Sequence, residues 1–180
     1  MSRIYTRTGD DGTTSLVGGQ STSKDSPFIE AVGVLDELNA LLGVARSLSL
    51  PDGIDEIIHI IQDRLFLIGT ALATPEKAAV RHPGIRDTDI REMEERIDEF
   101  DAKLPPLQQF ILPGGSAAGA QLHLARTVAR RAERRCVALS RTTGAHSQAL
   151  CYLNRLSDLL FVLARYVNLL DAAPESAHQP

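Results

Sequence analysis

Arg126, Arg130, Arg131, Arg134 and Arg135 crowd into the segment RTVARRAERR, with Glu133 among them. On a helix, positions three or four apart share a face, so Arg126, Arg130 and Arg134 form one basic row, with Glu133 and Arg131 beside it. Like charges at that spacing repel, and the row costs stability unless an anion or a carboxylate lies against it. Guanidinium forks bind phosphate oxygens in pairs, so a polyphosphate would reward the arrangement. A solvated basic face is the other reading of a charge run. Ala125, Val128, Ala129, Ala132 and Val137 make another side of the same helix apolar, which sets the arginines at the border of a packed core or a subunit interface.

Three other groups of residues carry chemistry. TRTGDDGTT, residues 6–14, is followed by Gly18, Gly19 and Lys24. Its glycines let backbone N–H groups approach an anion, its threonines add donors, and its aspartates could orient hydrated magnesium. No GxxxxGK[ST] pattern is present, and a flexible arm accounts for the same composition. Pro113-Gly114-Gly115-Ser116, just before the arginine segment, reads as a helix N-terminus open to anions or as a turn closed by a serine cap. Within otherwise apolar helices, Asp36 is placed to reach the arginine row, and Asn154 needs a hydrogen-bond partner from a ligand or from another helix. Glu56 and His59 have the spacing of a di-iron ligand pair, but the only second match, Glu175 and His178, falls in the tail, so a di-iron bundle is rejected. His123 and His146 are isolated and read as structural.

The elements that must position these groups are helical. Residues 1–27 lack helical periodicity and form an irregular Gly/Thr-rich arm. Ser26 and Pro27 open a first helix carrying Ile29, Val32, Leu35, Leu38 and Leu42. Pro51 to Gly53 separate it from a second, running from Ile54 to Leu72. Asp87 or Thr88 caps a third that ends before Pro105 and Pro106. The arginine helix spans roughly 116–139, and Gly144 divides it from a last helix running from Leu150 to Val167. The expected fold is all-α, a five-helix bundle over residues 28–171 preceded by the arm, with a disordered tail over 172–180.

Composition bounds the function. The chain has 180 residues, 43% of them hydrophobic, and a net charge of −4, so the basic patch is local and one domain with a real core is expected. Aromatics are 4% of residues and Trp is absent, which argues against a nucleic-acid partner. Cys136 and Cys151 suggest neither a disulfide framework nor a zinc site. No leader and no membrane-spanning stretch is evident, and a cytoplasmic protein is the expectation.

Four segments in order, YTRTGDDGTTSLVGG, AVGVLDELNALLG, FILPGGS with LHLARTVARRAERR, and YLNRLSDLLFVLAR, resemble the PduO-type ATP:cob(I)alamin adenosyltransferases. The resemblance implies transfer of the 5′-deoxyadenosyl group of ATP to cob(I)alamin, with release of triphosphate, in a homotrimer whose sites lie between subunits. It assigns Thr6, Arg7, Thr8, Gly9, Thr13, Thr14 and Lys24 to an ATP clamp. Arg130, Arg131, Glu133, Arg134 and Asn154 approach the same nucleotide. Asp36 and Arg126 resemble a salt-bridged pair across the subunit interface near the corrinoid, and Phe110 an aromatic side chain beneath the corrin ring. Magnesium would accompany ATP, and cobalamin would be a substrate. A reductase supplying electrons and a cobalamin-dependent acceptor enzyme are the implied partners. A non-catalytic carrier or sensor of ATP and corrinoid would use the same binding residues, and a helical scaffold would use the arginines for trimer contacts alone.

Overall fold

The computed structural model describes residues 4–178 apart from 6, 75–83 and 144–146. Among the described residues, two short strands and five helices follow one another: β1 (Thr13–Ser15), β2 (Ser21–Ser23), α1 (Pro27–Arg46), α2 (Ile54–Leu72), α3 (Asp87–Asp101), α4 (Ala117–Thr143) and α5 (Ser147–Leu170). The five expected helices are present. Within the arm, expected to be irregular, β1 and β2 pair antiparallel with Thr14 opposite Thr22. Gly18 and Gly19, both at positive φ (91° and 86°), make the reversal between them. The Val17 N–H donates to the Ala73 carbonyl at 3.0 Å, which ties the hairpin to the far end of α2.

Helix boundaries follow the local chemistry. Ser26 accepts from the Ile29 N–H with Pro27 in the first turn, as its sequence predicts. Gly53 stands at the α2 N-cap with φ 82°. At α3 the capping differs from expectation. Arg86 holds the N-cap, Asp87 and Thr88 are already helical, and the Asp89 carboxylate accepts from the Arg86 backbone N–H at 2.9 Å.

Helix α4 packs against both α1 and α5, α1 also packs on α2, and α3 on α5. Ala118, Ala125, Ala129 and Ala132 are buried, and their small size brings α4 close to its neighbours, while the arginines flank this seam. Leu38 and Leu42 of α1, Ile58 and Leu65 of α2, Leu122 and Leu139 of α4, and Leu153 and Leu156 of α5 fill the centre. No helix among the described residues is long and apolar enough to cross a membrane.

The tail departs from the expectation of disorder. Ile111 and Ala177 form an antiparallel bridge, the Leu112 N–H donates to the Ser176 carbonyl at 2.8 Å, and the His178 N–H donates to the Phe110 carbonyl at 2.8 Å. Composition hid this order because the partner strand lies far away in sequence.

Candidate functional site

The arginine row divides by partner. Arg131 pairs with Glu37 and Arg135 with Glu30 at 3.2 Å, so carboxylates of α1 neutralise one flank of α4. Arg130 and Arg134, one turn apart, stay exposed with no ion-pair partner among the described residues. They remain free to meet an external anion. Arg126 is half-buried, its guanidinium 5.9 Å from the Phe161 ring centroid and its Nε without a hydrogen-bond partner. Burial, and then the charge of Arg130, pull its pKa down.

Beside the free arginines, Asn154 Nδ2 donates to Glu133 Oε1 at 3.1 Å, which joins α5 to α4. The Asn154 carbonyl in turn accepts from Arg155 at 2.7 Å, and Arg155 donates to Glu94 of α3 at 2.8 Å. Asn154 thus has protein partners at both ends of its amide, and its orientation is fixed.

The arm builds a compact loop. Lys24 Nζ donates to the Gly9 carbonyl at 2.6 Å, and the Lys24 N–H to the Gly12 carbonyl at 2.9 Å. Asp11 Oδ1 accepts from both the N–H (2.9 Å) and the hydroxyl (2.7 Å) of Thr13; the hydroxyl bond above all keeps the Asp11 carboxyl below its ordinary range. A Cβ on Gly9 would lie 2.8 Å from the Thr13 carbonyl, so the loop closes only around glycine there. Arg7, at φ 63°, rests 5.4 Å from the Tyr5 ring centroid. Thr8 is exposed and Thr14 half-buried in β1, while Thr6 lies outside the described residues.

Within one chain Asp36 does not reach the arginine row, so a pairing with Arg126 is the one expected across a subunit interface. One residue is 100° of helix turn, so Glu37 faces α4 while Asp36 faces α2. There Asp36 enters a groove of about 360 Å³ with Val17, Val32, Phe66 and Thr70. Phe110, between α3 and α4, is 84% exposed. Ser116 caps α4 by accepting from the Gly119 N–H at 3.1 Å, which is the serine-cap reading of the PGGS turn. Asn168 occupies the rest of that turn, donating to the Gly114 carbonyl at 2.8 Å and accepting from the Ser116 N–H at 3.0 Å.

The sequence offered no pairing for Glu30 or Glu37 and no role for Asn168 or Arg165, and Glu175 entered only the rejected di-iron reading. The two glutamates, seven residues apart on one face of α1, carried a usable signal; the others depend on contacts between distant segments. A cleft of about 630 Å³ between α2, α3 and α5, lined by Arg64, Asp89 and Tyr152, contains none of the residues assigned to ATP or the corrinoid. No group of three or more His, Cys, Asp or Glu among the described residues could hold a metal ion. Glu175 pairs with Arg165.

The sequence pattern of the cobalamin adenosyltransferases matches residues 4–167. The chain belongs to this family. It is 44% identical to the corrinoid adenosyltransferase of Citrobacter freundii over 92% of this chain and 94% of that one. It is 45% identical to the corrinoid adenosyltransferase of Mycobacterium leprae, covering 93% of this chain and 92% of the relative. Among solved structures, a variant PduO-type ATP:corrinoid adenosyltransferase from Lactobacillus reuteri, complexed with cobalamin and ATP, superposes with a TM-score of 0.95 at 36% identity. That match covers 99% of this chain and 100% of the other.

Proposed function

We propose that the protein transfers the 5′-deoxyadenosyl group of ATP to cob(I)alamin and releases triphosphate. The observation that carries the reading is the free Arg130–Arg134 pair beside the hydrogen-bonded Glu133 and Asn154, in a chain of the cobalamin adenosyltransferase family. The cobalt(I) electron pair forms a bond to C5′ of the ribose. The C5′–O bond breaks, and its pair leaves on the triphosphate. Negative charge therefore shifts onto the whole polyphosphate, and cationic groups along it stabilise the transition state.

Arg130 and Arg134 supply that charge from α4, with Arg131 beside them. Arg7 and Lys24 supply it from the arm, where Thr8, Thr13, Thr14 and the Gly9 backbone add donors. Glu133 and Asn154 hold the nucleoside end. Magnesium would come bound to the triphosphate, with a single exposed carboxylate such as Asp11 available to it. No protein nucleophile is required; the residues align the two substrates and exclude water.

The sites lie between the subunits of a homotrimer in this reading. Two features of the single chain support it. Arg126 keeps a buried donor without a partner, and Asp36 keeps an exposed carboxylate in an apolar groove, so each has what the other needs across an interface. Phe110 would lie beneath the corrin ring and displace the lower axial ligand, easing reduction to cobalt(I).

An anaerobic assay with ATP, magnesium and chemically reduced cob(I)alamin tests the reaction. Adenosylcobalamin formed together with intact triphosphate is expected. Binding of both substrates without turnover would move the protein to the carrier or sensor class.

A further inference from the structure

Arg165 is the least explained charge in the molecule. It sits on α5 at 3% exposure, and a buried guanidinium is costly unless its donors are met. Here they are met by two segments remote in sequence. Nε donates to Glu175 Oε1 at 2.8 Å, and a terminal nitrogen donates to Glu175 Oε2 at 3.3 Å and to the Pro105 carbonyl at 2.9 Å. Glu175 belongs to the tail, and Pro105 to the connection between α3 and α4.

Asn168 lies three residues further along α5 and holds Gly114 and Ser116, at the other end of that connection. One face of α5 therefore grips the connection on both sides of Phe110. Between the two grips, the tail and the connection share the two backbone hydrogen bonds at Phe110 and Leu112. A two-stranded pairing that short is marginal by itself. The Glu175 carboxylate anchors its tail strand to the bundle core.

We propose that Arg165 and Glu175 are positioning residues for Phe110, fixing through the tail the backbone that presents its exposed ring. The inference rests on the reading of Phe110 given above. It adds an internal ion pair, away from the reacting atoms, on which that ring's placement depends.

Four variants decide it: Glu175→Ala, Glu175→Gln, His178→Pro and Phe110→Ala. His178→Pro deletes the N–H that holds the Phe110 carbonyl and leaves the core untouched, so it tests the idea even where Glu175→Ala folds poorly. The readout is the visible spectrum of bound cob(II)alamin with ATP, which reports the fraction lacking its lower axial ligand. ATP affinity is measured alongside.

Glu175→Ala and His178→Pro are expected to lower that fraction about tenfold, the effect of one lost anchoring interaction, with ATP affinity unchanged. Neither should add to Phe110→Ala, and Glu175→Gln, which keeps an acceptor for Arg165, should recover most of the signal. Wild-type spectra in both tail variants, or losses that add to Phe110→Ala, overturn the positioning role. A wild-type spectrum in Phe110→Ala itself overturns the reading of Phe110, and the inference falls with it.

Discussion

Arg130 and Asn154 differ in how much of their role the fold already uses, and their variants should differ accordingly. Arg130 is exposed and free, so Arg130→Ala should leave the melting temperature near wild type while lowering turnover about a hundredfold, as for loss of one charge-assisted contact in a transition state. Asn154 also bridges Glu133 and Arg155, so Asn154→Ala should lower both turnover and stability, the latter by about 1 kcal/mol. Equal turnover in wild type and either variant would remove that residue from the site. His123 makes a different prediction. It is 2% exposed, lies 5.9 Å from the Phe161 ring centroid, and has no hydrogen-bond partner on either ring nitrogen. Burial, and then the Arg126 charge, hold its pKa below the ordinary 6.5, with Glu175 opposing. The unfolded chain thus takes up a proton that the folded imidazole resists, so stability is complete above pH 6.5 and falls as the pH drops below it. His123→Leu should remove that part of the acid sensitivity in melting curves taken from neutral to mildly acidic pH; an unchanged profile would assign the sensitivity elsewhere.

At the scale of elements, α3 joins the bundle chiefly through α5, and its ties to α2 are few. Asp89 is the main one. It is almost fully buried, and it caps α3 while receiving Arg64 of α2 at 2.9 Å. Burial raises its pKa, but the Arg86 hydrogen bonds and the Arg64 and Arg86 charges more than offset this and leave it lowered. Asp89→Asn should therefore cost about 1–2 kcal/mol, as expected when charge-assisted hydrogen bonds to a buried carboxylate are weakened while both arginines keep access to water. Hydrogen exchange should rise first in α3, and a uniform rise across all helices would argue against a local seam. The starts of α1 and α2 were legible because their signals are local: Ser26-Pro27 and Gly53 each act within one turn. The α3 cap was misplaced because its acceptor, Asp89, lies inside the helix and outside the usual cap position. The order of the tail was illegible for a related reason. Its strand partner is Phe110–Leu112 and its anchor is Arg165, and neither leaves a trace in the composition of residues 172–180.

For the whole molecule, the sequence placed most candidate residues on the elements that carry them, while their contacts within the chain came only with the fold. Lys24 with Gly9 and Glu133 with Asn154 do meet. Asp36 and Arg126, the pair expected across a subunit interface, face different sides of one chain, because α1 lies against both α2 and α4 and turns Asp36 toward α2. The arm likewise is tied to the end of α2, while the free arginines lie on α4. In the proposed homotrimer, the arm of one subunit would meet α4 of the next in a head-to-tail ring. This arrangement has a countable consequence. Lys24→Ala disables the arm, Arg130→Ala disables the α4 face, and each homotrimer alone should be nearly inactive. In a trimer holding both kinds of subunit, one interface of the three joins an intact arm to an intact α4. Random co-assembly at equal amounts should then recover about a quarter of wild-type activity. If the arm and the arginine face serve the same subunit, every site keeps one defect and co-assembly recovers nothing.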